Sequence, residues 1–437
     1  MWWRLFMPGL RFKRYLGAVG LGFLLLGADA AHLWWPPAAG RGWTAALTAA
    51  AGALLVGWGS RRVWASLTDA VGSARWTGRI YTRYLARGPK VAALGGGTGL
   101  PAVLRGLKEY TANLTAVVTV ADDGGSSGRL RGELGMLPPG DIRNCLVALA
   151  DTEPLMEDLF QFRFSGGDLA GHSFGNLFLA AMEQTRGDFV TGLKEVSRVL
   201  AVRGSVLPVT LEHVTLKARL ADGSEITGES RVGRSPLPIE RVWLEPSDAT
   251  PLAEAVAAIA EADLVVLGPG SLYTSVLPNL LVGQIRDAIR TSRALRVYVA
   301  NIMTQPGETS RYTAWDHWQA LSRHVGPGLV DVILVNNAPI DPETLARYRK
   351  EGADVVTLGD DPGGPRPIVV QEPLVAVTPD GTVRHDPHKL ARALLRLLLR
   401  YRPDWAERRV FDALWLENRL KDPSGWPGGR HGPTRAS

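Results

Sequence analysis

Two glycine-rich turns, each preceded by a short apolar segment, constrain the fold of this chain more than any other part of its sequence. The first turn is Gly95-Gly96-Gly97-Thr98-Gly99, and it follows the apolar run Val91 to Leu94 directly. Such a run is typical of a buried strand in a parallel sheet. Pro101 suits the first turn of a following helix, so backbone N–H groups and a helix N-terminus would converge on the glycines. The pattern predicts a phosphate site.

The segment that follows this first turn and its helix extends the pattern. A strand is predicted from Leu114 to Val120, and Asp122-Asp123 follow it. In a doubly wound fold, a carboxylate at this position can reach a ribose hydroxyl, so we expect Asp122 or Asp123 to bind a hydroxyl or a base edge. The next turn adds hydroxyl and guanidinium donors for an anion, namely Ser126, Ser127 and Arg129.

The first turn matches neither of the two common phosphate-binding motifs. If the dinucleotide fingerprint G-x-G-x-x-G began at Gly95, its third glycine would fall on Leu100. A Walker loop is also excluded, because no Gly-Lys-Ser/Thr follows to hold a γ-phosphate and Mg²⁺. NAD and ATP are therefore both disfavoured. The competing interpretation is that the glycines only allow a tight turn between a strand and a helix.

Two polar turns precede the next apolar helices. Asp141 follows Pro138-Pro139-Gly140, which makes it a good N-cap for a helix that contains Asn144. His172 and Asn176 lie in a glycine-flanked turn ahead of the run LFLAAM. Polar side chains at such positions face whatever lies over the helix N-terminus. For His172, a structural role and a ligand role have equal support.

A second strand-glycine-helix turn is predicted near the middle of the chain. The strand from Asp263 to Leu267 runs into Gly268-Pro269-Gly270-Ser271, and the next strand, Leu295 to Ala300, ends in Asn301. In an open α/β sheet these turns gather at the carboxyl edge of the strands. We therefore expect this turn to face the same crevice as the first.

The predicted fold class is α/β, with a doubly wound, mostly parallel sheet of the Rossmann-like type. From about 206 to 244 the pattern alternates between apolar and polar residues, and Asp222-Gly223 is a strong hairpin signal. A small antiparallel β insertion is expected there. A transmembrane hairpin would precede the sheet, and the predicted divisions are 1–64 (hairpin), 65–89 (basic linker), 90–400 (α/β domain) and 401–437 (partly disordered tail).

The N-terminal prediction depends on two segments that are nearly free of charge, about 15–35 and 43–60. Each approaches the ~20 residues needed to cross a bilayer. Basic residues lie before the first segment and after the second, so both termini and the α/β domain should be cytoplasmic. A signal peptide cleaved after Ala28-Asp29-Ala30 is the alternative, and it would leave the second span in place. The basic linker is either a helix on the inner leaflet of the membrane or an ordinary solvated helix.

Composition narrows the function classes. The 437 residues carry a net charge of +6, but the excess arginine gathers near the ends and no nucleic-acid motif is present, so no nucleic-acid partner is expected. The single cysteine, Cys145, excludes an internal disulfide and a thiolate zinc site. His385 and His388 are separated by Pro387 and have no third histidine or cysteine nearby, so no metal site is expected.

The motifs ALGGGTGLPAVLRGLK, VTVADDGGSSGRLR, PPGDIRNCLVALAD, GHSFGNLFLAAM, ADLVVLGPGSLYTSVLPNL and VANIMTQPGET, taken together, resemble the YvcK-like gluconeogenesis-factor family. That family is related to 2-phospho-L-lactate transferase, and the resemblance runs from about Lys90 to about Leu399. It implies a CofD-like nucleotide-binding crevice at the strand ends. It also implies a regulatory protein that binds a UDP-sugar such as UDP-N-acetylglucosamine and supports cell shape and wall synthesis during gluconeogenic growth.

On this interpretation no residue is catalytic, and the partners are a nucleotide sugar, the inner membrane leaflet, cell-wall synthesis proteins and a second copy of the chain. The predicted binding residues are Gly95, Gly96, Gly97, Thr98, Gly99, Asp122, Asp123, Ser126, Ser127, Arg129, Asn144, His172, Asn176, Gly268, Gly270, Ser271 and Asn301. The alternative is a transferase of the 2-phospho-L-lactate transferase type, which would use Mg²⁺. The residues favour the first, because phosphoryl transfer usually needs several metal-holding carboxylates and Asp122-Asp123 is the one pair at a motif strand end.

Overall fold

The computed structural model describes residues 12–31, 42–72, 82–151, 154–378 and 380–421. The chain divides after Tyr84 into two compact units. Residues 32–35 of the first predicted span, residues 73–81 of the predicted linker and residues 422–437 of the predicted tail lie outside the described residues.

The described residues of the first unit include the helices α1 (Phe12–Ala31) and α2 (Gly42–Gly72). They pack closely at glycines: a Cβ atom added to Gly22 would lie 2.8 Å from the Gly52 carbonyl oxygen. Within the described residues, no helix combines the length and the apolar character needed to cross a membrane. The predicted transmembrane hairpin is therefore not supported, although the described residues of both segments are helical.

The second unit contains the remaining helices, which alternate with the strands along most of the chain. Their bounds are α3 Leu100–Leu107, α4 Gly125–Leu134, α5 Pro139–Leu149, α6 Pro154–Gln161, α7 Phe174–Arg186, α8 Phe189–Val199, α9 Glu229–Val232, α10 Ala253–Ala260, a π-helix Leu272–Val276 that continues into α11 Leu277–Leu281, α12 Gly283–Thr291, α13 Ala314–Val325, α14 Pro342–Lys350, α15 Pro387–Tyr401, α16 Pro403–Arg408 and α17 Val410–Lys421. The last two lie inside the segment 401–437 that was predicted to be partly disordered.

The strands of the second unit are β1 Val91–Gly95, β2 Leu114–Val118, β3 Ser205–Pro208, β4 Thr215–Leu220, β5 Glu225–Thr227, β6 Ile239–Glu245, β7 Leu264–Leu267, β8 Leu295–Val299, β9 Val332–Asn336, β10 Ile368–Glu372, β11 Val375–Val377 and β12 Val383–His385. Seven of them form one parallel sheet in the order β10-β9-β8-β7-β1-β2-β3. The predicted parallel α/β core is confirmed.

The central strand β1 determines where a ligand crevice can form. All five of its residues are buried, so both faces of the sheet are covered there. Val91 pairs with Leu114 of β2 on one side and with Leu264 of β7 on the other. The chain fills the sheet from β1 to β3 in one direction and then from β7 to β10 in the other. The topological switch point therefore lies between β1 and β7.

A second, antiparallel sheet in the order β5-β4-β6 forms the predicted insertion. It spans Thr215 to Glu245, so it begins later than the predicted 206–244, because residues 206–208 belong to the parallel strand β3. Strands β11 and β12 form a short hairpin of their own. This hairpin leads into α15, in which Leu390, Leu394, Leu395 and Leu398 are buried.

Candidate functional site

The two strand-helix glycine turns touch each other at the switch point. A Cβ atom added to Gly99 would lie 2.9 Å from the Cα atom of Gly270 and would also overlap the carbonyl group of Pro269. Gly268 has a φ of +74°, a backbone conformation that favours glycine. The glycines are therefore needed for the close approach of the two turns, as well as for tight local bends.

The first turn also holds a carboxylate. Asp141 is in the first turn of α5, and its carboxylate accepts a hydrogen bond from the backbone N–H of Gly97. A Cβ atom added to Gly96 would lie 2.7 Å from Asp141 Oδ2 and 2.7 Å from Ser275 Oγ. The prediction that Asp141 is an N-cap is therefore wrong, because α5 begins at Pro139 and has Pro138 at its N-cap.

The adjacent residues Asp122 and Asp123 point in different directions. Asp122 Oδ1 accepts a hydrogen bond of 2.9 Å from the backbone N–H of Gly124, within its own turn. Asp123 Oδ1 accepts one of 2.9 Å from the backbone N–H of Ser230, in the first turn of α9. Asp123 thus ties the antiparallel insertion to the rim of the crevice, and the two carboxylates do not act as a pair on one group.

Carboxylates from the insertion and the crevice affect one another's ionisation. Burial, and after it the negative charges of Asp122 and Asp141, raise the pKa of Glu229 to about 8. Burial and then Asp122 raise the pKa of Asp141 to about 6, while its hydrogen bond with Gly97 opposes the shift. This side of the crevice therefore takes up protons near neutral pH.

A buried arginine joins the helices on the same side. Arg143 of α5 donates from Nη1 to Asn176 Oδ1 at 3.0 Å and also to Ser173 Oγ, the N-cap of α7. Its Nη2 donates to Asn144 Oδ1 at 2.8 Å. Burial lowers the pKa of Arg143 to about 10, so the guanidinium is cationic at neutral pH. Asn144 and Asn176 are therefore occupied by a neighbouring cation in this structure.

Ser126 and His172 extend this network. Ser126 Oγ lies 3.0 Å from His172 Nδ1 and accepts a hydrogen bond of 3.1 Å from Asn176 Nδ2. Burial lowers the pKa of His172, so the ring is neutral at pH 7 and Nδ1 can accept the proton of Ser126. Both side chains are buried, which gives His172 a structural contact whatever else it binds.

A pocket of about 360 Å³ opens on the other side of the first turn. The predicted binding residues that line it are Thr98, Gly99, Gly270, Ser271 and Asn301. Asn301 Oδ1 accepts a hydrogen bond of 3.1 Å from the backbone N–H of Gly270, and Gln305 Nε2 donates to Ser271 Oγ at 2.8 Å. Side chains at the end of β8 therefore hold the second glycine turn in place.

The predicted site residues thus fall into two groups on either side of the first turn. One group lines the pocket, and the other surrounds the carboxylates and Arg143. Arg129 is on the outer rim of the second group, where it donates to the Ala170 carbonyl at 2.7 Å, and Ser127 Oγ accepts from the backbone N–H of Gly140 at 3.1 Å.

Sequence reasoning missed the residues of the site that depend on tertiary contacts. These are Arg143, Glu229, Gln305 and Glu308, whose carboxylate accepts hydrogen bonds from Thr274 Oγ1 and from the backbone N–H of Tyr273. Of these four residues, only Arg143 could have been identified from the sequence, because it lies inside the motif PPGDIRN beside Asn144.

The fold defines a class: a doubly wound α/β protein with a crevice at the switch point between β1 and β7. A family model described as 2-phospho-L-lactate transferase CofD matches residues 91–366. The gluconeogenesis factor of Bacillus subtilis is 50% identical over 311 residues, which cover 71% of this chain and 98% of that protein. The gluconeogenesis factor of Halalkalibacterium halodurans is 50% identical over 306 residues, which cover 70% and 95%.

Solved structures agree with these sequence relatives. A crystal structure of a UPF0052 family protein from Bacillus halodurans is 50% identical, covers 70% of this chain and 99% of its own, and has a TM-score of 0.66. The chain belongs to the CofD family and, within it, groups with the relatives that are named gluconeogenesis factors.

Proposed function

We propose that this chain is a regulatory protein that binds a UDP-sugar, such as UDP-N-acetylglucosamine, in the crevice between its two glycine turns. One observation carries the proposal: the turns after β1 and β7 touch at the switch point, and both line one pocket. Short glycine turns allow a diphosphate to approach the backbone closely. The missing lysine of a Walker loop and the missing third glycine of the dinucleotide fingerprint argue against ATP and NAD.

Thermal unfolding of the full chain tests this proposal. UDP-N-acetylglucosamine, NAD, ATP and GDP are compared at equal concentration, each with and without Mg²⁺. A ligand at 100 times its dissociation constant adds about 2.7 kcal/mol to the free energy of unfolding. We expect stabilisation by the uridine nucleotide alone. Stabilisation by GDP with Mg²⁺, and none by any uridine nucleotide, would favour the transferase.

The transferase has one supporting finding, the match to a family model described as a 2-phospho-L-lactate transferase. The carboxylates give it less support. Asp122 and Asp123 diverge, and within the described residues no three His, Cys, Asp or Glu side chains are grouped so that they could hold a metal ion. A binding role is therefore the better supported proposal.

We further propose that the chain acts at the cytoplasmic face of the cell membrane, where it supports cell shape and wall synthesis during gluconeogenic growth. Exposed apolar side chains on α1 and α2, among them Phe23, Leu24 and Leu54, support contact with lipid. Fractionation of cells tests the location: the full chain should sediment with membranes, whereas a chain that begins at Pro89 should not. A deletion strain that grows with normal shape on a gluconeogenic carbon source would contradict the role.

A further inference from the structure

A groove of about 430 Å³ lies between the C-terminal ends of α15 and α17, and no residue of the two glycine turns lines it. The two helices contribute three residues each, namely Arg396, Leu399 and Arg400 of α15 and Glu417, Leu420 and Lys421 of α17. Three cations therefore surround the groove, and Glu417 is the one carboxylate among the lining residues. The family model ends at residue 366, so neither helix belongs to the matched segment.

The positive charge of this groove exceeds the negative charge beside it. Arg396, Arg400 and Lys421 are exposed, and none of the ion pairs found among the described residues involves them. Arg392, Arg396 and Arg400 are spaced at intervals of one helical turn, so they share one face of α15. From Pro387 to Lys421 the sequence holds nine Lys and Arg residues against four Asp and Glu, an excess that accounts for most of the chain's net charge of +6. An anionic partner fits this face.

An apolar stripe on α17 continues from the groove. Val410, Phe411 and Leu414 are exposed, and Phe411 is 80% exposed. Positions 411, 414, 418 and 421 recur at helical spacing, so the stripe lies on the same face as Lys421 at the edge of the groove. Exposed apolar side chains beside arginines match a lipid surface, in which anionic headgroups lie above acyl chains.

The chain enters the second unit beside α17. Arg87, close to the start of that unit at Leu85, forms an ion pair of 3.1 Å with Asp412 of α17. Arg409 Nη1 also donates a hydrogen bond of 3.3 Å to the carbonyl oxygen of Arg87. The connection from the end of α2 at Gly72 to Leu85 is short. If the first unit contacts lipid, as proposed above, this short connection gives the membrane a high local concentration for any surface beside Leu85.

We propose that this C-terminal face docks on an anionic membrane surface, with Arg396, Arg400 and Lys421 on the lipid phosphates and Phe411 and Leu414 among the headgroups. The proposal rests on the proposed location at the membrane and is independent of the nucleotide. Residues 422–437 hold two arginines and one aspartate, so the chain's own C-terminal segment does not supply the complementary charge. An acidic protein would match the arginines, but the apolar stripe and the entry of the chain beside α17 favour lipid.

A fluorescent label on α17 tests the docking in the full chain. Asn418→Cys places a thiol on the exposed face between Leu414 and Lys421, and Cys145 is buried, so a nitrobenzoxadiazole reagent labels position 418 alone. Vesicles of phosphatidylcholine are compared with vesicles of equal parts phosphatidylcholine and phosphatidylglycerol. We expect the anionic vesicles alone to raise the emission at least about twofold and shift it to the blue. A change from about 0.1 M to about 1 M salt should reverse the rise, because the Debye length falls from about 10 Å to about 3 Å.

Two double variants of the labelled chain examine the role of the arginines. Arg396→Gln with Arg400→Gln should reduce the rise in emission at least about threefold, and because both side chains are exposed the fold should be kept. Arg186→Gln with Arg293→Gln removes the same charge from exposed positions elsewhere and is the matched control, which should respond like the labelled wild type. A label carried instead by Glu254→Cys, on α10, should respond to neither kind of vesicle.

The possible results separate this inference from the proposed location. A label at position 418 that stays silent with anionic vesicles overturns the inference, and sedimentation of that same chain with membranes would leave the proposed location standing. An equal rise with both kinds of vesicle, or a rise that the Arg396 and Arg400 variant keeps, also overturns it, because contact would not depend on the arginines. A rise with soluble polyglutamate and none with vesicles would assign the face to an acidic protein and overturn the lipid assignment.

Discussion

The carboxylate of Asp141 accepts a hydrogen bond from the backbone N–H of Gly97, in the turn where the sequence predicts a phosphate. An internal negative charge therefore occupies part of the predicted anion site. On the proposed function, a diphosphate must either approach the turn from the side of Gly99 or displace this carboxylate. The first route is open, because Gly99 lines the pocket and the N-terminus of α3 has no side-chain cap.

Asp141→Asn should strengthen the binding of UDP, because it removes a negative charge from the turn without changing the size of the side chain. We expect the dissociation constant to fall about three- to tenfold at pH 8. The pKa of Asp141 is about 6, so wild-type affinity should rise as pH falls through 6, and the variant should lack this rise. Calorimetric titration at pH 5.5, 7 and 8 measures both effects. Weaker binding by the variant at pH 8 would contradict the interpretation. Glu240→Gln, which changes an exposed residue of β6, is the control.

Glu229→Gln should stabilise the protein at alkaline pH. The pKa of Glu229 rises from its ordinary 4.5 to about 8 in the folded protein, so between these values the folded chain holds a proton that the unfolded chain releases. Stability contributed by this group therefore falls as pH rises from 4.5 to 8. At pH 8.5 the variant should exceed the wild type by about 1–3 kcal/mol, and at pH 4.5 the two should agree.

Chemical denaturation at the two pH values measures this difference. Glu254→Gln, which changes an exposed glutamate of α10, should alter neither value. A variant that is no more stable than the wild type at pH 8.5 would show that Glu229 is not held in an unfavourable charged state.

Gly99→Ala should separate the two glycine turns. The added methyl group would overlap Pro269 and press on Gly270, and overpacking of this kind costs about 1–3 kcal/mol. Binding of UDP-N-acetylglucosamine should fall with it. Gly132→Ala is a matched control, because a Cβ atom there meets nothing within 4 Å and the residue lies inside α4. Denaturation should show the control to be as stable as the wild type or more so.

Arg143→Met should destabilise the fold by about 3 kcal/mol or more, because it leaves the buried acceptors on Ser173 and Asn176 and the half-buried acceptor on Asn144 without their donor. Arg105→Met is the comparison. Arg105 forms an exposed ion pair of 3.7 Å with Glu157, and such pairs contribute at most about 1 kcal/mol. Denaturant titration of both variants gives the two values, and similar losses would mean that the buried network is not stabilising.

Asp123→Ala should loosen the antiparallel insertion, because Asp123 accepts the hydrogen bond that ties Ser230 to the rim of the crevice. We expect limited proteolysis to cut between β4 and β6 at least about threefold faster than in the wild type. Asp222→Ala provides the control, since Asp222 accepts hydrogen bonds from Ser224 within the hairpin turn of the insertion. Equal cleavage rates in the Asp123 variant and the wild type would show that Asp123 does not hold the insertion to the rim of the crevice.

The meeting of the two turns could be predicted from the sequence because it depends on local patterns. Apolar runs before Gly95 and before Gly268 indicate parallel strands, and parallel strands present their carboxyl ends at one edge. The position of Asn301 just past the end of a strand was predicted by the same reasoning. In the structure, Gly99, Gly270 and Asn301 line one pocket.

The contacts of the charged residues could not be predicted in this way. The role of Asp141 depends on whether α5 begins at Pro139 or three residues later, a difference within the usual uncertainty of helix boundaries predicted from sequence. Asp122 and Asp123 are neighbours in sequence, but their partners lie in a local turn and in the distant insertion. Arg143 acts through side chains of α7, and no local pattern shows which helix will pack against it.

The position of the crevice between β1 and β7 also has a consequence for how the protein is made. The backbone N–H of Lys90, next to β1, bonds to the carboxylate of Asp263, next to β7, across a sequence separation of 173 residues. Contacts of such high contact order form slowly, because a long loop must close before they stabilise the chain. During synthesis, the segment up to β6 emerges before the strand that completes the crevice. We therefore expect a nascent chain that ends before β7 to bind no nucleotide sugar.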